Sequence, residues 1–467
     1  MRSDTSWGWT KTTWKSADWT SPVPLVALLD DRKRRILTLA LPIVGGMVSQ
    51  NVLNLVDAAM VGVLGDAALA ATGLGSFAFF MSMAFITGLS SGVQAMSARR
   101  LGEGREDQTA IPLNGGLILA LGLGLPLTVL LFHAAPDLYP LLIDDPEVIE
   151  IGTPYFQARL IGLTAVGMNF AFRGYWNGVN LSRLYMRTLV LMHAVNIFLN
   201  WVLIFGKLGM PAYGAVGAGM ATAASTWVGM IYYVYMGLRY ARGAGFLRGL
   251  PDAGTIRTML RLAVPSGLQQ FFFAAGMTAL FRIVALVGTA EVAAANILIQ
   301  LLLVAILPGI AFGLAAASLV GQALGRGDTA DARRWGWEVV RLAALIVGVI
   351  ALPGLFAPEL ILMGFLHDPE TLALASAPLR ILAAFMAVDT VGMVLLNALL
   401  GAGDTRKVML VSVGMQWFLF LPAAYLIGPV LGYGLLGIFV AQAAYRGVQA
   451  LIFAGIWHWG RWYEIDV

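Results

Sequence analysis

The chain has 467 residues, 59% of them hydrophobic and 12% charged, with a formal net charge of +4 and no cysteine. Soluble domains carry about 25% charged residues, so this balance excludes an ordinary soluble protein. The missing cysteines exclude disulfides, thiolate metal sites and cysteine nucleophiles.

The first residues hold Trp7, Trp9, Trp14 and Trp19 among Ser, Thr and Lys. No apolar core precedes a small-residue cleavage site, so this is not read as a signal peptide. Residues 1–34 are expected to form a cytoplasmic segment, whose tryptophan-rich first 24 residues are disordered rather than laid on the membrane surface with their indoles among the headgroups.

Windows of about twenty apolar residues then recur about twelve times, far longer than the strands of a membrane barrel, so the spans are helices. They cover 37–63, 69–95, 111–132, 154–177, 187–205 and 216–240, then 259–287, 292–323, 335–356, 379–400, 408–427 and 434–457. Arginines cluster in alternate connections: Arg32, Arg34 and Arg35, then Arg99, Arg100 and Arg105, and later Arg242, Arg248 and Arg257. The opposite side carries Asp144, Asp145, Glu147, Asp368 and Glu370, with Lys207, Arg159 and Arg380 as its basic residues. The positive-inside rule places both termini in the cytoplasm, which an even span count satisfies.

An internal repeat is legible. Pro42 and Pro265 stand 223 residues apart, and the same offset pairs Gly65 with Gly288, Leu101-Gly102-x-Gly104 with Leu324-Gly325-x-Gly327, and Asp145-Pro146 with Asp368-Pro369. Gly178 pairs with Gly401, Gly209 with Gly432 and Gly214 with Gly437. Six spans per repeat bring the second copy into the membrane from the same side as the first, so two parallel, pseudo-symmetric six-helix lobes are expected, with a substrate path between them. The expected division is a lobe at 35–240, a cytoplasmic linker at 241–258 and a lobe at 259–467.

Two sets of intramembrane polar residues stand out. In the first span Gln50, Asn54 and Asp57 lie at i, i+4 and i+7, one helical stripe. A carboxylate at that depth is costly and by default marks a functional site. His193, Asn196 and Asn200 share a face of the fifth span, and two polar faces in one lobe are expected to meet. Such a carboxylate either exchanges a proton or, ringed by amide oxygens, binds Na⁺, so Asp57 is the one candidate metal ligand. In the tenth span Met386, Asp389, Met393 and Asn397 fall on one face, an acid flanked by adaptable thioethers suited to varied ligands. Gln300 and Gln416 are further candidates for a substrate cavity. Arg173 and Arg282 are expected to reach toward the interface.

The run LPIVGGMVSQNVLNLVDAAMVGVLGDAALAATG, the LGEG and LGRGD loops, GKLGMPAYGAVGAGMATA and FMAVDTVGMVLLNALLGAGDTR together resemble the MATE family of multidrug and toxic compound extrusion transporters, from about Arg35 onward. The resemblance implies a twelve-helix, two-lobe antiporter exporting organic, often cationic, compounds in exchange for protons or sodium ions. Asp57 matches the family's first-helix coupling acid, Asn196 a polar partner and Tyr155 an aromatic hydroxyl of the same cluster. Asn200 stands where some members have a second acid. Asp389 matches a C-terminal-lobe acid, while the position of a seventh-helix glutamate falls at Phe273.

The combined expectation is a cation-coupled exporter, H⁺ preferred over Na⁺, with Asp57, Asn196, Asn200, Asn54 and Tyr155 at the coupling site. Asp389, Met386, Met393, Gln300 and Gln416 are expected at the substrate site. No catalytic residue and no organic cofactor are expected: phosphate-loop, His-Glu-x-x-His and Gly-x-Ser-x-Gly motifs are absent from the sequence. The expected setting is a monomer in a bacterial inner membrane that handles small organic molecules and meets lipid but no nucleic acid. A lipid-linked precursor flippase of the same architecture is the alternative, and a channel the next.

Overall fold

The computed structural model describes residues 30–366 and 368–467; the tryptophan-rich segment before them lies outside the described residues. A bilayer core offers no hydrogen-bond partners, so an apolar chain crossing it must close its backbone bonds within helices. The helices are α1 (Asp31–Gly62), α2 (Asp66–Thr87), α3 (Leu89–Gly102), α4 (Ile111–Leu138), α5 (Pro146–Leu160), α6 (Leu163–Gly178), α7 (Ser182–Phe205) and α8 (Gly214–Met236). After the connection come α9 (Ala253–Ala285), α10 (Thr289–Gly325), α11 (Thr329–Phe356), α12 (Pro358–Leu362), α13 (Pro369–Ala402), α14 (Thr405–Gly414), α15 (Leu421–Tyr425) and α16 (Gly434–Trp459). No strand occurs among the described residues.

Ten stretches are long and apolar enough to cross a membrane, including α2 with α3 as one rod and Thr405–Val430 as another. The rods α5–α6 and α8 stand at the fourth and sixth expected spans. The protein is thus an all-helical, integral membrane protein built as two lobes.

Repeat-related sequence marks have repeat-related structural jobs. Asp145 caps α5, accepting from the Glu147 N–H at 3.0 Å, and Asp368 caps α13, accepting from the Thr371 N–H at 2.9 Å. Each is followed by proline at the first helical position, where no N–H is needed. The Thr371 hydroxyl and N–H hold the Asp368 carboxyl below the usual carboxylate range. One pairing shifts: Gly214 and Gly434, not Gly437, open α8 and α16, with φ of +56° and +58°. The loop from Gly432 to Gly434 is three residues shorter than its counterpart from Gly209 to Gly214, so the 223-residue register slips there.

The connection between lobes is held rather than loose. Asn114 Nδ2 donates to the carbonyls of Gly245 and Gly249 at 2.9 and 2.8 Å, and its Oδ1 accepts from the Leu247 N–H at 3.1 Å.

The lobes meet at the end that carries the basic loops. Gly102 and Gly325, repeat mates, cross each other there: a Cβ on Gly102 would overlap the Gln322 carbonyl, and one on Gly325 the Arg99 carbonyl. Around this crossing Gln94 Nε2 donates to the Leu314 carbonyl at 2.8 Å, and the Ser318 hydroxyl donates to the Asn177 carbonyl at 2.9 Å. Gln322 Nε2 donates to the Gly178 carbonyl at 2.9 Å, and its Oε1 accepts from Arg35 at 2.6 Å. Arg99 reaches the Ile465 carbonyl at 3.2 Å, so the C-terminal residues also bridge the lobes. Arg32 of α1 pairs with Asp331 at 2.6 Å and with Glu338 of α11.

Toward mid-membrane Phe85 stacks on Phe271, with centroids 4.9 Å apart. Farther out, Gln50 and Asn54 of α1 and Asn296 and Gln300 of α10 are exposed. Such side chains turned to lipid would go unsatisfied, so they line a cleft that opens at the end opposite the basic loops. In a Ser318→Cys background, Gly102→Val should hold the crossing apart and let a membrane-impermeant maleimide label the new thiol from the basic-loop side. Protection unchanged by the valine would contradict this geometry.

Candidate ion-coupling and substrate sites

Asp57 lies in the last turns of α1 and Asn200 in the last turns of α7, two helices packed along their length. Asn200 Nδ2 donates to Asp57 Oδ1 at 2.6 Å and to Asn196 Oδ1 at 2.9 Å. Asn196 in turn donates to the Thr222 and Ser225 hydroxyls of α8, at 3.2 and 3.4 Å. Asn196 and Asn200 are fully buried, while Asp57 is half-buried at the wall of the lobe. The Asn200 Oδ1 has no hydrogen-bond partner.

Tyr155 is buried in the same outer half of the lobe, its hydroxyl 2.9 Å from Ser76 Oγ and 3.1 Å from Arg159 Nη1. Arg159, to which it is bonded, lies within electrostatic range of Asp57 and over the Phe79 ring. Arg159 was counted from sequence with the basic residues of the far side; in the fold it points into the lobe. Asn54 is not on this chain of bonds. It accepts from Gln50 at 3.2 Å, and Gln50 Oε1 lies 3.1 Å from His193 Nε2, whose Nδ1 is 2.6 Å from Ser49 Oγ. The expected single polar face therefore divides into an Asp57 cluster and a His193 cluster one to two turns apart.

In the C-terminal lobe the sequence showed Asp389 as a lone acid. The structure pairs it with Arg446 of α16, Nε to Oδ1 at 2.9 Å, with side-chain exposures of 12% and 20%. Both lie near the middle of long helices, hence near mid-membrane. Met386 and Met393 pack with Ile306 and Val347, and Met386 also lines the pocket beside the ion pair. Gln416 is buried and donates to the Phe273 carbonyl at 3.3 Å, tying two helices, whereas Gln300 donates to Asn296 at the cleft wall. Of the expected substrate residues, Met386 and Asp389 line one pocket together.

Arg173 does not reach the interface as its position suggested. Its Nε donates to Ser90 Oγ at 3.1 Å and its guanidinium covers the Phe170 ring, because α3 brings a hydroxyl to it inside the lobe. Arg446 was missed altogether, although an arginine twelve residues into an apolar span is itself a signal of a buried partner. No group of three or more His, Asp or Glu suited to a metal occurs among the described residues.

A family model described as MatE matches residues 42–202 and 265–426, beginning at the two repeat prolines. The chain belongs to the MATE family. It is accordingly a membrane transporter and not an enzyme. Among its relatives, a probable multidrug resistance protein NorM of Pasteurella multocida is 30% identical over 84% of this chain and 85% of that protein. One of the same name from Thermotoga maritima is 26% identical over 91% and 93%. A solved MATE in the straight conformation superposes with a TM-score of 0.83 at 26% identity, covering 94% of this chain and 98% of the other. An outward-facing MATE family multidrug resistance transporter superposes at 0.81 with 25% identity over the same shares.

Within this MATE chain the Asp57–Asn200 bond joins α1 to α7 at the half-buried wall of the lobe. Asn200→Ala should lower thermal stability in detergent by about 0.5–2 kcal/mol, the range of interhelical polar bonds in membranes, read as a fall in the unfolding midpoint. An unchanged midpoint would show the bond to be energetically idle.

Proposed function

We propose that this MATE protein is a proton-coupled exporter of small amphiphilic organic compounds, working by alternating access with Asp57 as its coupling residue. The observation that carries this is the placement of Asp57. It sits on the helix whose first turns hold the closed end through Arg32 and Arg35, and whose last turns enter the N-terminal lobe. Pro42 lies between the two ends and lacks the N–H that would stiffen α1 there. By the positive-inside rule the closed, basic end is cytoplasmic, as are both termini, so the cleft opens outward. The relatives are bacterial proteins named for multidrug resistance, which supports reading this chain as an exporter of organic compounds; a bacterial inner membrane is its proposed location.

The cycle follows from the contacts. With the cleft open outward, an external proton reaches the half-buried carboxylate. Protonation removes its attraction for Arg159 and changes what Asn200 can donate to, so the packing of α1 on α7 is biased toward another arrangement. Because the other end of α1 carries the cytoplasmic contacts, that bias reaches the gate. A proton is favoured over Na⁺ because the nearby oxygens are largely committed. Asn196 Oδ1 accepts from Asn200, and the Thr222 and Ser225 hydroxyls accept from Asn196, which leaves Asn200 Oδ1 as the idle amide oxygen. A sodium ion wants several oxygens, whereas a proton needs only the carboxylate.

A flippase for a pyrophosphate-linked lipid would need uncompensated cations in the central cavity. Arg446 is paired with Asp389, Arg159 lies within electrostatic range of Asp57, and Arg173 is held inside the N-terminal lobe against Ser90 and the Phe170 ring, so that reading is not favoured. In everted vesicles, Asp57→Asn should abolish export of a fluorescent organic cation driven by an imposed pH gradient while leaving equilibrium binding within about threefold, as expected where a ligand binds both states alike. Gradient-driven export by the variant would overturn the mechanism, and export driven by Na⁺ alone would overturn the choice of ion.

A further inference from the structure

We propose that residues 461–467, which follow α16, form a strap that latches the lobes shut at the basic-loop end, with Arg99 as the positioning residue through which the strap grips the N-terminal lobe. Its consequence for transport rests on the alternating-access reading; docking of the strap requires neither ion nor substrate.

The strap is anchored on the C-terminal lobe. Trp462 is fully buried and lies face to face on Trp457 of α16, with centroids 3.9 Å apart and planes 5° from parallel. Its Nε1 donates to the Trp457 carbonyl at 2.9 Å, and Trp457 Nε1 donates to the Arg333 carbonyl of α11 at 3.3 Å. A stacked indole pair with both N–H groups satisfied buries a large apolar area, which makes a firm anchor. Ile465 and Val467 then seat over Gly403, which ends α13 with a φ of +96°. A Cβ on Gly403 would lie 2.4 Å from Val467 Cγ2 and 3.3 Å from Ile465 Cγ2, so the seat exists because that residue is glycine. Arg261 of α9 donates to the Asp466 carbonyl.

Arg99, in the last turn of α3, closes the grip from the N-terminal lobe. Its Nη2 donates to the Ile465 carbonyl at 3.2 Å and lies 3.5 Å from the Ala402 carbonyl at the end of α13. Carbonyls at a helix end lack an intrahelical donor, and a guanidinium has N–H groups enough to serve one of them and the strap together. The repeat accounts for the placement. Gln322, the repeat mate of Arg99, reaches the other way, from α10 to the Gly178 carbonyl at the end of α6, and accepts from Arg35 of α1. The two latches mirror each other across the Gly102–Gly325 crossing, but different elements complete them: a long apolar helix on one side and a seven-residue strap on the other. Beyond its tryptophan anchor the strap is held by backbone bonds and two half-buried side chains, which local opening can undo. The strap is thus the adjustable half of closure: docked, it favours the state whose cleft opens at the far end, and lifted, it lets the lobes part at the basic-loop end.

The test is the rate at which a membrane-impermeant maleimide, added from the basic-loop side without gradient or substrate, labels Ser318→Cys, a position buried beneath the crossing, in the full-length protein. Arg99→Gln should raise that rate roughly tenfold, the scale of one lost hydrogen bond from a charged group. Trp462→Ala should raise it at least about threefold, less because Arg99 keeps its contact with Ala402. Combined, the two should label within about twofold of Arg99→Gln alone, since residues acting through one contact are not additive. Because emptying the Trp462 site can unsettle α16, Ile465→Ser/Val467→Ser, which leaves the tryptophan stack in place, serves beside it with the same expectation. Thr390→Cys, buried in the middle of α13, should stay protected in every variant. A Ser318→Cys rate that neither strap variant changes, rates that multiply in the combined variant, or labelling of Thr390→Cys as well would overturn the latch. Substrate flux in vesicles, measured in parallel, reports on export alone. Strap-dependent labelling without gradient-driven flux would sink the export reading and leave the latch standing, while flux with strap-independent labelling would do the reverse.

Discussion

The bond from Asn200 to Asp57 is short, lies within the apolar slab and ties the end of one long helix to the next-but-three rod of its lobe. In water such a bond would exchange with solvent. Here solvent enters only through the cleft, so the state of one carboxylate is coupled to how α1 packs. The other end of the same helix contributes Arg32 and Arg35 to the contacts that close the lobes. A local change at Asp57 is therefore felt some twenty residues away along a nearly continuous helix, whose weak point is Pro42.

Closure itself is a matter of close backbone approach. The crossing of Gly102 and Gly325 works because neither carries a Cβ, and the polar groups of Gln94, Ser318 and Gln322 then find partners across the lobe boundary. Repeat symmetry explains why the crossing is reciprocal: Gln322 is the repeat mate of Arg99, and each backbone carbonyl faces the other lobe's glycine. The symmetry stops at the charges. Asp57 has Leu280 as its repeat mate, and the C-terminal lobe instead holds an ion pair on two other helices. The two lobes are thus alike as rigid bodies and different as chemical sites.

Much of this was legible in the sequence, and the reasons are physical. Span length follows from bilayer thickness, and the repeat from a constant offset, so twelve rods in two lobes could be read directly. The meeting of Asp57 with Asn200 followed from helical period, because polar faces within one lobe have few places to turn. What period does not encode is the rotation of one helix against a distant one. Arg446 lies 57 residues from Asp389, and its pairing depends on how α16 turns its face toward α13. Arg159 looked like a residue of the far surface because α5 bends into α6 near it, and the break at Ile161 and Gly162 is invisible to a hydropathy window. The register slip at Gly434 needed the loop's length in space.

Since the chain has no cysteine, the coupling of Asp57 to lobe movement can be measured directly with two spin labels at Leu208→Cys and Leu431→Cys, exposed, repeat-related positions in the loops at the open end. The distance distribution between them should shift as pH falls in the otherwise wild-type protein and become insensitive to pH when Asp57→Asn is added. If the pH-dependent shift persists in the Asp57→Asn protein, the proton acts elsewhere, with His193 the next group to examine, and Asp57 is not the residue that couples ion binding to the movement of the lobes.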